Sequence, residues 1–200
     1  MPEFGDIQFT VQRAYVAAYN DSTNAFTNPQ EIEYAQEFSY SPLMDEDEIK
    51  ALGANREKLA VVIGAESTLS EASMKAAAYN VAMGYSEDQS GSSGNRIRVT
   101  DMSGAGRGKP YIGFIVIVMA TIGQVVYGFP KSKLKMDQEF EAGINEFRTG
   151  ELQLEHLVLP DSNKYLRRKK FEADGDVPDF TEVAAWTTFF DTPSDIFSAS

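Results

Sequence analysis

The chain has 200 residues and a mass of 22.1 kDa, enough for a single domain spanning 1–200 with a real core. Hydrophobic content of 42%, charged content of 24% and a mean hydropathy of -0.31 exclude a disordered or membrane-type composition. Thirty acids against 18 bases leave a net charge of -12, which excludes a surface that collects phosphate generally. Cysteine is absent and His156 is the sole imidazole, so disulfides, thiolate nucleophiles and Cys-ligated zinc are excluded as well.

Met1–Thr10 has no basic start followed by an apolar run, so the expectation is synthesis in a cytoplasm without a secretory signal. Period-2 and β-branched patterns then dominate. Ile7–Ala18 opens as a strand, and Glu31–Tyr40 follows with Ile32, Tyr34 and Phe38 on one parity. Pro42 ends that second strand, and the polar stretch 43–57 is expected to be a long loop, since ordinary connections run about 4–6 residues. Lys58–Ile63 resumes extended structure.

One helix is expected over about 69–83. Thr68-Leu69-Ser70-Glu71 fits a capping box, Met74, Ala77, Ala78, Val81 and Ala82 repeat at helical spacing, and Gly84 supplies a C-terminal stop. Ser86–Gly94 reads as a flexible loop. The charge-free run 111–129 is long enough for a membrane span, but its glycines and its Ile/Val content favour two strands, Tyr111–Ala120 and Val125–Phe129, around a short turn. Ile112, Phe114, Val116 and Val118 point one way and Ile115, Ile117 and Met119 the other, so this strand should be covered on both faces. Glu151–Leu159 alternates with a parity change that allows a bulge near His156. Tyr165–Phe171 and Phe180–Phe190 complete the expected strands, and 191–200 is a C-terminal tail. The fold class is mostly β (α+β) with one flanking helix.

Charge is segregated along the chain. Residues 1–49 hold ten acids and one base, Arg13; residues 171–200 hold seven acids and no base; the middle is net positive. The densest acidic run is Asp45-Glu46-Asp47-Glu48 and the densest basic run is Arg167-Arg168-Lys169-Lys170. Blocks of opposite sign suit contact between copies of the chain. The plainer account is two solvated patches.

No motif announces catalysis. Gly104–Lys109 lacks the first glycine and the final hydroxyl of a phosphate-binding loop, with Ser103 and Pro110 in those places. His156 has no second histidine for a metal pair, and a lone strand histidine is expected at a surface or interface. Glu172, Asp174, Asp176 and Asp179 around Gly175 lack the ligand order of a calcium loop. Thirty acids always offer carboxylate pairs, and nothing in their spacing singles one out. The expectation is no enzyme, no cofactor and no metal.

Taken in order, FGDIQFTVQRAYVA, EIEYAQEFSYSPLMDEDEIKALGANRE, KLAVVIGAESTLSEASMKAAAYNVAMG, GKPYIGFIVIVMATIGQVVYGF, PKSKLKM and ELQLEHLVLP resemble the layout of major tail (tail tube) proteins of long-tailed bacteriophages over about 4–190. The resemblance is one of layout rather than of a sharp motif. It implies a β-sandwich or barrel-like domain with one flanking helix. It also implies hexameric rings stacked into a tube in the virion tail, with genome DNA passing through an acidic lumen to which it does not stick. Implied partners are further copies of the chain, other tail proteins at the tube ends and a tape-measure protein in the lumen, with no membrane. By position, loop 43–57 would reach a neighbouring subunit or ring, setting Asp45, Glu46, Asp47 and Glu48 against bases drawn from Lys131, Lys133, Arg167, Arg168, Lys169 and Lys170. The alternative is a β-sandwich decoration or attachment protein that binds a capsid or host surface. A small hydrolase is a third reading, and requires two carboxylates converging in a concave pocket.

Overall fold

A computed structural model describes residues 10–33, 35–49, 57–71, 76–84, 86–90, 97–101, 110–135, 150–159, 164–172 and 176–191. Its elements are β1 (Thr10–Asn20), β2 (Ala25–Ile32), β3 (Ala35–Ile49), β4 (Glu57–Glu71), α1 (Ala76–Met83), β5 (Ser86–Ser90), β6 (Ile97–Asp101), β7 (Ile112–Met119), β8 (Gln124–Leu134), β9 (Gly150–Leu157), β10 (Arg167–Phe171) and α2 (Val183–Asp191). The protein is thus mostly antiparallel β-sheet with two helices. The main sheet runs β2-β1-β7-β8-β9-β4-β3, with β10 also on β8, and β5 and β6 form a separate pair.

The apolar hairpin is built as its sequence predicts. β7 and β8 pair from Phe114↔Phe129 to Met119↔Gln124, and the backbone N–H of Ala120 donates to the Gly123 carbonyl across the turn. Both faces of β7 are buried as far as Val118, whereas Met119, expected on the second covered face, is exposed. Ile112, Phe114, Val116 and Val118 join one core with α1 residues Ala78, Val81 and Ala82 and with Leu69, Leu152 and Leu154 from β4 and β9. Ile115 and Ile117 join a second core with Tyr15, Phe26, Phe180, Trp186 and Phe189. The sheet also curls, so that Phe38 of β3 lies 6.2 Å from Phe114, 5.9 Å from Tyr127 and 6.1 Å from Phe129 between ring centroids.

The second core depends on a helix that the alternation rule misses. Phe180–Phe190 was expected as a strand, but α2 occupies 183–191 and buries Trp186 and Phe189. Asp179 forms the turn before it: its carboxylate accepts from the Thr181 N–H at 3.0 Å and from the Thr181 hydroxyl at 2.8 Å. Those bonds hold the exposed Asp179 carboxyl below its ordinary pKa. The aromatic face of α2 reaches the sheet because β7 and β8 carry Gly113 and Gly128 beneath it. A Cβ on Gly113 would sit 2.7 Å from the Trp186 ring, and one on Gly128 would sit 2.4 Å from Phe189.

Other expectations are corrected. The capping box at Thr68–Glu71 caps nothing: these residues end β4, where Leu69 is paired with both Phe38 and Leu152 and is fully buried. A core position flanked by two strands outweighs a local capping signal. The helix begins at Ala76 within the described residues and ends as expected, with Gly84 at φ 71°. The strand expected at 31–40 is two strands, the sheet-edge β2, in which Pro29 falls at the register irregularity between Thr27 and Gln30, and β3. The loop expected at 43–57 is strand up to Ile49 and from Glu57 onward; residues 50–56 lie outside the described set. Ser86–Ser90, expected as a loop, pairs with β6. The register through His156 is unbroken, so no bulge lies there. Gly104–Lys109, the region 137–149 and the tail beyond Asp191 fall outside the described residues. No helix among the described residues is long and apolar enough to cross a membrane.

Candidate assembly surfaces

The acidic run sits on a two-stranded arm of the sheet. β4 pairs β3 along its length, but pairs β9 only from Gly64↔Leu157 to Glu71↔Gly150. From Met44↔Val62 to Ile49↔Glu57 the ribbon has no third strand among the described residues. Six residues at about 3.3 Å each give an arm of about 20 Å. Its root is specialised. The register shifts between Leu43 and Met44, leaving Ile63 as an extra residue on β4, and such a bulge bends and re-aims a ribbon. Beside it, a Cβ on Gly64 would meet the His156 carbonyl oxygen at 2.4 Å, so only glycine permits this approach of β4 to β9.

Composition divides the arm lengthwise. Asp45, Glu46, Asp47 and Glu48 on β3 stand opposite Val61, Ala60, Leu59 and Lys58 on β4. At the root Met44, Val62 and Ile63 are 57%, 37% and 53% exposed. An isolated two-stranded ribbon is marginal in water, and exposed aliphatics at its base mark a surface that a partner would cover.

The bases expected to meet the acids are not equivalent. Lys131 is buried at 7% exposure, with its Nζ 2.5 Å from Asp21 Oδ1 and 4.2 Å from the Tyr111 ring centroid. Its ammonium is held within the protomer. Lys133 Nζ lies 4.4 Å from the same ring. Arg167, Arg168, Lys169 and Lys170 come together on β10, paired with β8 from Arg167↔Gly128 to Lys170↔Val125. Arg167 donates to the Phe190 carbonyl at 2.7 Å and lies over Phe189, tying β10 to α2. Arg168 and Lys170 are exposed, with the Arg168 guanidinium 5.9 Å from the Tyr127 ring centroid.

His156 lies where the arm joins the body, and it is fully buried rather than at a surface. It continues the inward stripe of Leu152 and Leu154, which is the parity signal that places it in the core. Its Nδ1 is 2.7 Å from Ser132 Oγ on β8, and its Nε2 is 2.6 Å from Ser67 Oγ on β4. One ring nitrogen donates and the other accepts, so a neutral imidazole satisfies both hydroxyls and fastens three strands. The ring stacks on Phe129 at 3.7 Å between centroids. Burial lowers its pKa to about 3.

No group of metal-ligating side chains forms among the described residues. A cleft of 230 Å³ lies between α2 and the loop before β10, edged by Tyr19, Phe26, Lys164 and Arg167, with Asp191 as its one carboxylate among the described residues. No protein-family model matches this chain, and no curated protein is significantly similar to it in sequence.

Proposed function

We propose that this chain is a virion structural protein that assembles as hexameric rings stacked into the tail tube of a long-tailed bacteriophage, around an acidic channel for genome DNA. The observation that carries the reading is the arm: about 20 Å of two-stranded ribbon with no third strand among the described residues, whose β3 sequence is acidic over 45–48 and whose root bears exposed aliphatics. Such an element contributes little to a monomer and supplies a joint to an assembly. The mostly antiparallel fold supports the reading, and α2 is a second helix beyond the one that the resemblance implies. Six copies of a chain at -12 make a ring whose field repels phosphate, which lets DNA pass without adhering.

Native mass measurement tests the subunit count. A ring appears at six times 22.1 kDa. A monomer or trimer at all concentrations contradicts the reading and favours a decoration or attachment protein.

A further inference from the structure

The cleft beside the end of α2 has walls that are pinned from within. Asn24, in the left-handed region at φ 51°, accepts from the Tyr19 hydroxyl at 2.8 Å. The Leu159 N–H donates to the Lys164 carbonyl at 2.9 Å, and the Arg167 guanidinium is held by the Phe190 carbonyl. Phe26 stacks on Phe190 at 5.1 Å between ring centroids and lies 5.3 Å from Tyr19. A cleft fastened in this way is formed before any ligand arrives, as small-molecule sites usually are. Its 230 Å³ exceeds the about 150 Å³ that holds a benzene ring. Aromatic rings and the aliphatic side chains of Pro130, Leu159 and Leu166 supply most of its lining.

The charges at the cleft run against the chain as a whole. Lys164 and Arg167 outnumber Asp191 there among the described residues, in a protein whose net charge is -12. Arg167 already serves the Phe190 carbonyl. Lys164 is exposed, and its ammonium has no side-chain partner among the described residues. We propose that the cleft binds a small aromatic carboxylate, with its ring on the apolar lining and its carboxylate at the Lys164 ammonium. Apolar walls take up the flat body and one unpaired cation orients it, the usual division of labour in such sites. Asp191 on the same cleft opposes a second negative charge, which selects a monoanion over a phosphate dianion. The site serves a single copy of the chain and is independent of whether copies assemble.

Titration of the full chain with 3-phenylpropionate, and with 3-phenylpropanol as its neutral counterpart, tests the site. Binding is followed by saturation-transfer NMR observed on the probe, which works for a monomer or a large assembly. A second readout is the emission of Trp186, the sole tryptophan, whose ring lies 5.2 Å from Phe26 and 6.2 Å from Phe190. The acid is expected to bind saturably with a Kd on the order of 1 mM, and the alcohol about threefold more weakly, the worth of one exposed charge pair. Lys164→Gln should weaken the acid by that same factor of about three and leave the alcohol unchanged. Leu159→Phe, which fills the cleft, should weaken both more than about tenfold, with folding checked by circular dichroism and thermal melting. Should Leu159→Phe not fold, the comparison of acid with alcohol and the Lys164→Gln variant still decide. No saturable binding up to about 10 mM, equal binding of acid and alcohol, or binding indifferent to Lys164→Gln or to a folded Leu159→Phe overturns the proposal. A chain ending at Asp191 that binds the acid where the full chain does not gives the cleft to the protein's own residues 192–200, and overturns it as well.

Discussion

Acid should weaken this protein through His156 by an amount that can be isolated. The imidazole has an ordinary pKa of 6.5, and burial lowers it to about 3 in the folded chain. The unfolded state therefore binds the proton more readily, so stability is complete above about pH 6.5 and falls as pH drops towards 3. Each unit in that window removes about 1.4 kcal/mol. At pH 5.0, which keeps clear of the sequence pI of 4.5, the loss from this one group is about 2 kcal/mol. Glu66, Glu155 and Lys133 adjoin Ser67, His156 and Ser132 in their strands and so point to the opposite sheet face. His156→Asn removes the titration while retaining a side chain able to donate and accept. Urea unfolding, read from the buried Trp186, the sole tryptophan, gives the stability of both chains at pH 7.5 and 5.0. The wild-type advantage should shrink by about 2 kcal/mol. Parallel pH dependence in the two chains would refute the buried neutral histidine.

Further outcomes follow from the packing. Gly113→Ala forces a Cβ into the Trp186 and Phe26 rings and should cost about 1–3 kcal/mol, seen as a lowered thermal midpoint. Trp186→Ala, which also loses the indole bond to the Phe180 carbonyl at 2.7 Å, should cost about 3–5 kcal/mol by the same measurement. Asp21→Asn leaves the buried Lys131 ammonium without its carboxylate and should destabilise the protomer, by less than the about 3–5 kcal/mol of a fully buried pair because Asp21 is half exposed. Lys131→Met should leave assembly unchanged by sedimentation, since that ammonium serves within the protomer.

The strands of the body are legible in the sequence wherever burial is two-sided or alternates. The opposed parities of Ile112–Met119 foretell two cores, and Gly84 marks the end of α1. Three features escape local patterns for three physical reasons. Thr68–Glu71 has the composition of a helix start, but Leu69 fills a core position between β3 and β9 that no local window reveals. Phe180–Phe190 has strand-like aromatics; its helical signals are the Asp179–Thr181 turn and the spacing of Trp186, Phe189 and Phe190, and these decide because α2 must cover Ile115 and Ile117. The acidic run 45–48 looks like a loop because charges are rare in strands, yet it pairs in register with Val61, Ala60, Leu59 and Lys58 of β4. Of the candidate assembly residues, the sequence shows the charge blocks, while the burial of Lys131 against Asp21, which are 110 residues apart, emerges only in three dimensions.

Negative-stain electron microscopy of the purified wild-type chain addresses the tube proposal most directly. Stacked rings with a central pore, lengthening into tubes as concentration rises, are the expected result; a field of small particles without pores or stacks at every concentration would contradict it.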